Sequence, residues 1–160
     1  MSNNQLEASL IRNRAPNNIS NYILRFAAIL SSFISIYMLF GIGNFLNTYV
    51  LLDTEYLYAM IALLLPLPFI IYHPTPRRGN KIPWYDMTFA ATTFIIAFYF
   101  CFSGSLILED GWEYLAPTHA KIMAFILWGL VLEASRRAGG NAIFIICLFI
   151  SIYPAISTFL

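Results

Sequence analysis

Between Tyr22 and Leu160 the chain is a succession of apolar stretches separated by short polar segments. These stretches limit the possible folds more than any other feature. A hydrocarbon core about 30 Å thick is crossed by about 20 helical residues at about 1.5 Å each. Backbone N–H and C=O groups in that layer must be satisfied within the protein, and for separate runs of this length the helix does so. Composition leads to the same place. The 160 residues are 59% hydrophobic and 11% charged, with a mean hydropathy of +0.70, whereas a soluble domain carries about 25% charged residues. So few polar groups cannot cover a soluble surface of this size. The expected fold is an all-α integral membrane bundle.

Five spans are expected, over residues 22–46, 52–72, 84–106, 119–135 and 141–160. Residues 1–20 are polar and Asn-rich, and are expected to form a cytoplasmic tail rather than a signal peptide. Gly41 and Gly43, near the end of the first span, suit a close helix contact. Pro66 and Pro68 interrupt the second span and should bend it. Residues 73–83, HPTPRRGNKIP, read as a loop. Gly139 and Gly140 suit a helix C-cap or a tight turn.

The cations orient the bundle. Arg12, Arg14, Arg25, Arg77, Arg78, Lys81, Arg136 and Arg137, eight of the nine Lys and Arg residues, fall on one side of a five-span arrangement. Only Lys121 falls on the other, near a helix end from which it can snorkel. Positive charge retained inside then places the N-terminus in the cytoplasm.

Little in the sequence points to catalysis. His73 and His119 lie on opposite expected faces, and there is no HExxH, CxxC or phosphate-binding glycine loop. Ser103 and Ser105 flank Gly104, but no His or Asp is placed to activate them, which favours a flexible or close-packed helix segment. Cys101 and Cys147 sit in apolar runs, as small packing residues do. Nothing suggests a cofactor, a metal site or nucleic-acid binding. The span centres carry no Asp, Glu, Lys or Arg, which suits a membrane scaffold better than an ion pathway.

Two groups resist a purely anchoring role. Pro83, Trp84, Tyr85 and Asp86 open the third span; interfacial aromatics and an acidic first turn explain them, with Asp86 in a capping or dipole role. Glu133, Arg136 and Arg137 stand at i, i+3 and i+4, so one helical face carries the carboxylate and both guanidiniums. These three can anchor the span by positive charge, or dock a cytoplasmic loop or a partner's helix end.

The order of these features resembles a known family. A cationic loop, then PWYD opening a span, an acidic loop ending in Pro117-Thr118, and Leu132-Glu133-Ala134-Ser135-Arg136-Arg137 before glycine resemble the N-terminal small (Q-type) membrane region of fused TRAP (tripartite ATP-independent periplasmic) transporter permeases. The TAXI-associated type is the nearest in pattern. The resemblance covers about Leu57 to Tyr153, and departs where Asn141-Ala142-Ile143 replaces a proline-containing run. It implies a multi-pass scaffold in a bacterial inner membrane, partnered by a large transport domain and a periplasmic solute-binding protein. It also implies organic acid uptake, with sodium coupling in the large domain rather than in this chain. A second reading is a stand-alone membrane anchor or assembly protein that binds a cytoplasmic partner through Glu133, Arg136 and Arg137.

Overall fold

The computed structural model describes residues 18–46, 48–72 and 83–157. The expected cationic loop, His73 included, lies outside the described residues, as does most of the N-terminal tail. The described chain is helical apart from its connections. In order it forms α1 (Asn18–Leu39), α2 (Ile42–Phe45), α3 (Asp53–Leu64), α4 (Leu67–Ile71), α5 (Trp84–Phe102), α6 (Gly104–Glu109), α7 (Trp112–Leu115) and α8 (Thr118–Ser157). Four helical stretches are long and apolar enough to cross a bilayer: Ser20–Leu39, Asp53–Ile71, Trp84–Phe102 and Thr118–Tyr153. Large apolar side chains cover their outward faces, among them Phe26, Phe33, Ile95, Phe125 and Phe149. Such a surface is stable in lipid, and the chain is a multi-pass membrane protein.

α8 is not straight. Gly140 has φ 84° and ψ −176°, outside helical space and in a region that favours glycine. It divides α8 into arms over 118–139 and 141–157. These are about 33 Å and 25 Å long at the helical rise. Trp128 Nε1 donates to Ser151 Oγ across a separation of 23 residues. A continuous helix would hold those residues about 34 Å apart, so the arms fold back on one another. The bend between the arms is thus a glycine turn. Gly139 assists it, because a Cβ there would collide with the Ile143 side chain.

The other expected boundaries shift where local chemistry interrupts a helix. The first apolar run, expected as 22–46, is helical from Asn18 to Leu39 and resumes briefly as α2. Gly43 makes its close contact with Tyr37 of α1 and the Tyr49 backbone. The second run bends at Leu65–Pro66, between α3 and α4, as its prolines predict. The third run ends at Phe102, and the acidic segment beyond it, expected as a loop, coils into α6 and α7.

α5 is the central helix, packed against α3, α4 and α8, while α1 packs beside α3. Its inward face includes the small residues Ala90, Thr93 and Ala97, which are buried, as is Ala62 of α3. Without a water-driven force between helices, such close backbone approach is what holds a membrane bundle. Thr93 returns its hydroxyl to the Phe89 carbonyl at 2.8 Å, so no polar group is stranded in the contact. One core cluster joins Phe69, Ala90, Leu130 and Ala134. The other joins Ile96, Phe100, Ala120 and Leu127, and Leu65 borders both.

Candidate functional site

The two groups singled out in the sequence meet at one end of the bundle. Asp86 lies in the first turn of α5, and Arg137 in the last turn of the first arm of α8. Arg137 donates through Nη1 to Asp86 Oδ1 at 2.7 Å, across 51 residues of sequence. Both side chains are almost fully buried, at 2% and 0% exposure. Arg137 Nε donates to Glu133 Oε1 at 2.8 Å. Arg136 approaches the same carboxylate as a fork, Nε to Oε2 at 2.8 Å and Nη2 to Oε1 at 2.7 Å. Two carboxylates and two guanidiniums therefore form one network whose formal charges cancel.

Helix periodicity aligns Glu133 with both arginines, one turn before the break at Gly140. The packing of α5 on α8, through Ala90, Leu130 and Ala134, brings Asp86 to Arg137. The Arg137 guanidinium also lies over two aromatic rings, 5.0 Å from the Phe69 centroid and 5.8 Å from that of Phe89. Aromatic faces complete the shell of a desolvated cation. Because Phe69 belongs to α4, the network ties three helical segments together.

Asp86 is used differently from the capping role expected of it. The residue before α5 is Pro83, which makes no side-chain cap. Asp86 retains the favourable first-turn position for an acid and spends its carboxylate on a distant arginine. Trp84 is 80% exposed and meets Tyr85 edge to face. Tyr85 in turn meets Phe89. Tyr85 thus reaches the network through Phe89 and Asp86 enters it, while Trp84 faces outward and Pro83 precedes the helix. Arg136 retains 37% side-chain exposure, whereas Arg137 is enclosed and faces inward.

The opposite end of the bundle holds a carboxylate to which the sequence assigned no role, Glu55, near the start of the expected second span. Glu55 is 4% exposed. Its Oε2 accepts from the Leu52 backbone N–H at 3.1 Å, and its Oε1 from the Tyr49 hydroxyl at 2.6 Å. Cys101 Sγ donates to its backbone carbonyl at 3.4 Å. Gly104 packs so closely that a Cβ there would overlap Glu55 Cγ. The Ser103–Ser105 segment is thus close-packed backbone, with Ser103 and Gly104 buried. The acid third in its helix, after Asp53 and Thr54, was the available signal for Glu55: it is the position from which a side chain reaches back to the N–H of the capping residue, Leu52. The Tyr49 phenol, outside the spans, is held above its ordinary pKa because it donates to the Glu55 carboxylate. Phe69 gave no signal beyond its position beside the prolines.

Among the described residues no group of three His, Cys, Asp or Glu is placed to hold a metal. His119 pairs with the Tyr99 hydroxyl at 3.1 Å. Every buried side-chain nitrogen and oxygen of the described residues has a hydrogen-bond partner. Among the described residues this network joins the ends of three helical segments. No family model, no curated protein and no solved structure matches this chain.

Proposed function

We propose that this chain is the small membrane scaffold region of a TRAP-type secondary transporter, working with a large transport domain and a periplasmic binding protein to import organic acids. The observation that carries the reading is the buried Asp86–Arg137 ion pair. It joins the two stretches on which the resemblance rests, PWYD and LEASRR. A scaffold needs helix ends held at fixed separations, and a neutral network between α4, α5 and α8 supplies that. The apolar span centres agree with this division of labour, because the ionisable groups a transport pathway requires are left to the partner domain.

In this reading both arms of α8 cross the bilayer, giving five spans with the N-terminus cytoplasmic. The described geometry supports that alternation. Arg25, Arg136 and Arg137 belong to one end of the bundle, and Asp53, Glu55, Glu109 and Asp110 to the other. Cysteines introduced at Asn80 and Gly111 are then labelled from opposite sides of the membrane, and labelling of both from the same side rejects the topology. The alternative role, docking a cytoplasmic partner through Glu133, Arg136 and Arg137, is disfavoured by the enclosure of Arg137 against Asp86 and Phe69.

Affinity purification of the full chain from its native membranes tests the function. A large multi-span membrane protein should be recovered with it, and Asp86→Asn or Arg137→Met should reduce that recovery together with uptake of organic acids. Recovery of a soluble cytoplasmic protein instead, lost when Arg136 and Arg137 are reversed in charge, would overturn the reading.

A further inference from the structure

The cleft between the arms of α8 has a chemistry of its own. It measures about 440 Å³ and is lined by Phe125, Trp128 and Ile152, with Lys121 at its edge. The polar groups of Trp128 and Ser151 satisfy each other, so the remaining wall is apolar. A second cleft of about 230 Å³ opens on the other side of the same helix turn, lined by Tyr58, Phe100 and Trp112. Lys121 and Ala124 line both. Two largely apolar clefts thus share one basic residue, Lys121.

Lys121 is exposed, lies in the first turn of a long helix, and has no ion-pair partner among the described residues. The helix dipole adds positive potential at that end. Of the nine cations it alone falls on its side of the five-span arrangement. Anchoring by positive charge therefore does not account for it, and neither does an internal salt bridge. Its surroundings fit a molecule with one anionic group and two hydrocarbon tails.

We infer that Lys121 marks a binding site for one anionic phospholipid, with the phosphate on the ammonium and one acyl chain in each cleft. The occupant is a lipid rather than a free anion, because a phosphate alone would leave both apolar clefts unfilled. A protein helix would fill one cleft and leave the cation unanswered.

Tryptophan fluorescence tests the inference. The chain has three tryptophans, and Trp84→Phe leaves Trp112 and Trp128, one in each cleft. The full chain carrying Trp84→Phe is placed in nanodiscs with a small fraction of phosphatidylglycerol brominated on its acyl chains, or the same fraction of brominated phosphatidylcholine. The anionic lipid should quench several-fold more strongly. Lys121→Gln should erase the difference and Lys121→Arg should keep it. Equal quenching by the two lipids overturns the site, as does a headgroup preference that survives Lys121→Gln. Weak quenching by both overturns it too, since a second copy of the chain or another protein would then fill the clefts. The comparison of headgroups on protein with Lys121 intact decides the matter even where Lys121→Gln fails to fold.

Discussion

The two ends of the bundle each bury a carboxylate, and they satisfy it in different ways. At one end Asp86 faces a full cation, Arg137, which is shared with Glu133 and flanked by Phe69 and Phe89. At the other end Glu55 faces a phenol and a backbone N–H, with Gly104 closing over it. The first arrangement is long in range, joining residues 51 positions apart. The second is largely local: the carboxylate's partners lie three and six residues away. Charge pairing holds separate helices together, whereas the neutral donors fold a connection onto its own helix. The first should therefore govern assembly of the bundle, and the second the geometry of one end.

The largest effect should come from Arg137→Ala. It removes one member of the buried Asp86–Arg137 pair, and removal of one partner from a buried pair costs about 3–5 kcal/mol. Thermal unfolding in detergent should show this loss. The double variant Asp86→Asn/Arg137→Met should be less destabilised than either single change implies, because no lone charge remains. Additive losses would mean that the two ends do not differ in kind.

Gly104→Val is next. Its side chain would have to displace Glu55, and overpacking of a tight contact costs about 1–3 kcal/mol. The same measurement should show a smaller loss than for Arg137→Ala. A larger one would reverse the ranking of the two ends.

Tyr49→Phe removes one donor from Glu55 and leaves the backbone donor in place. A loss of up to about 1 kcal/mol is expected. The sign of its pH dependence is determined: the folded phenol titrates above its ordinary value, so its contribution is complete below pH 10 and declines as pH rises through the folded pKa. Ultraviolet titration of the wild type against Tyr49→Phe should show one phenol ionising late. The smallest effect should be that of Arg136→Ala, under about 1 kcal/mol, because this guanidinium is more than a third exposed and solvent screens its pairing. A loss matching that of Arg137→Ala would mean that Arg136 is covered by a partner.

Much of this was legible in the chain itself. The long apolar helices follow from run length and composition, although the two last expected spans form one helix, α8, broken at Gly140, and the bend near Pro66 follows from proline chemistry. The pairing of Glu133 with Arg136 and Arg137 is written in the helical period, because neighbours at three and four residues share a face whatever surrounds them. The break after LEASRR is marked by its glycines, of which Gly140 takes the backbone conformation no other residue adopts readily.

Contacts between helices were beyond reach, because hydropathy shows that a face is apolar and not which neighbour it meets. Asp86 alone is explained by the helix dipole; only the packing of α5 on α8 reveals that it holds Arg137. Glu55 alone is an acid in a first helical turn; only the approach of Tyr49 and Gly104 buries it. The sequence by itself determined membrane residence, the approximate course of the long helices and the ion pairs within one helix, since each depends on residues close along the chain. The tertiary structure decided which helices share a charge, which carboxylates are enclosed and where two clefts meet a lysine, since these depend on how distant surfaces fit.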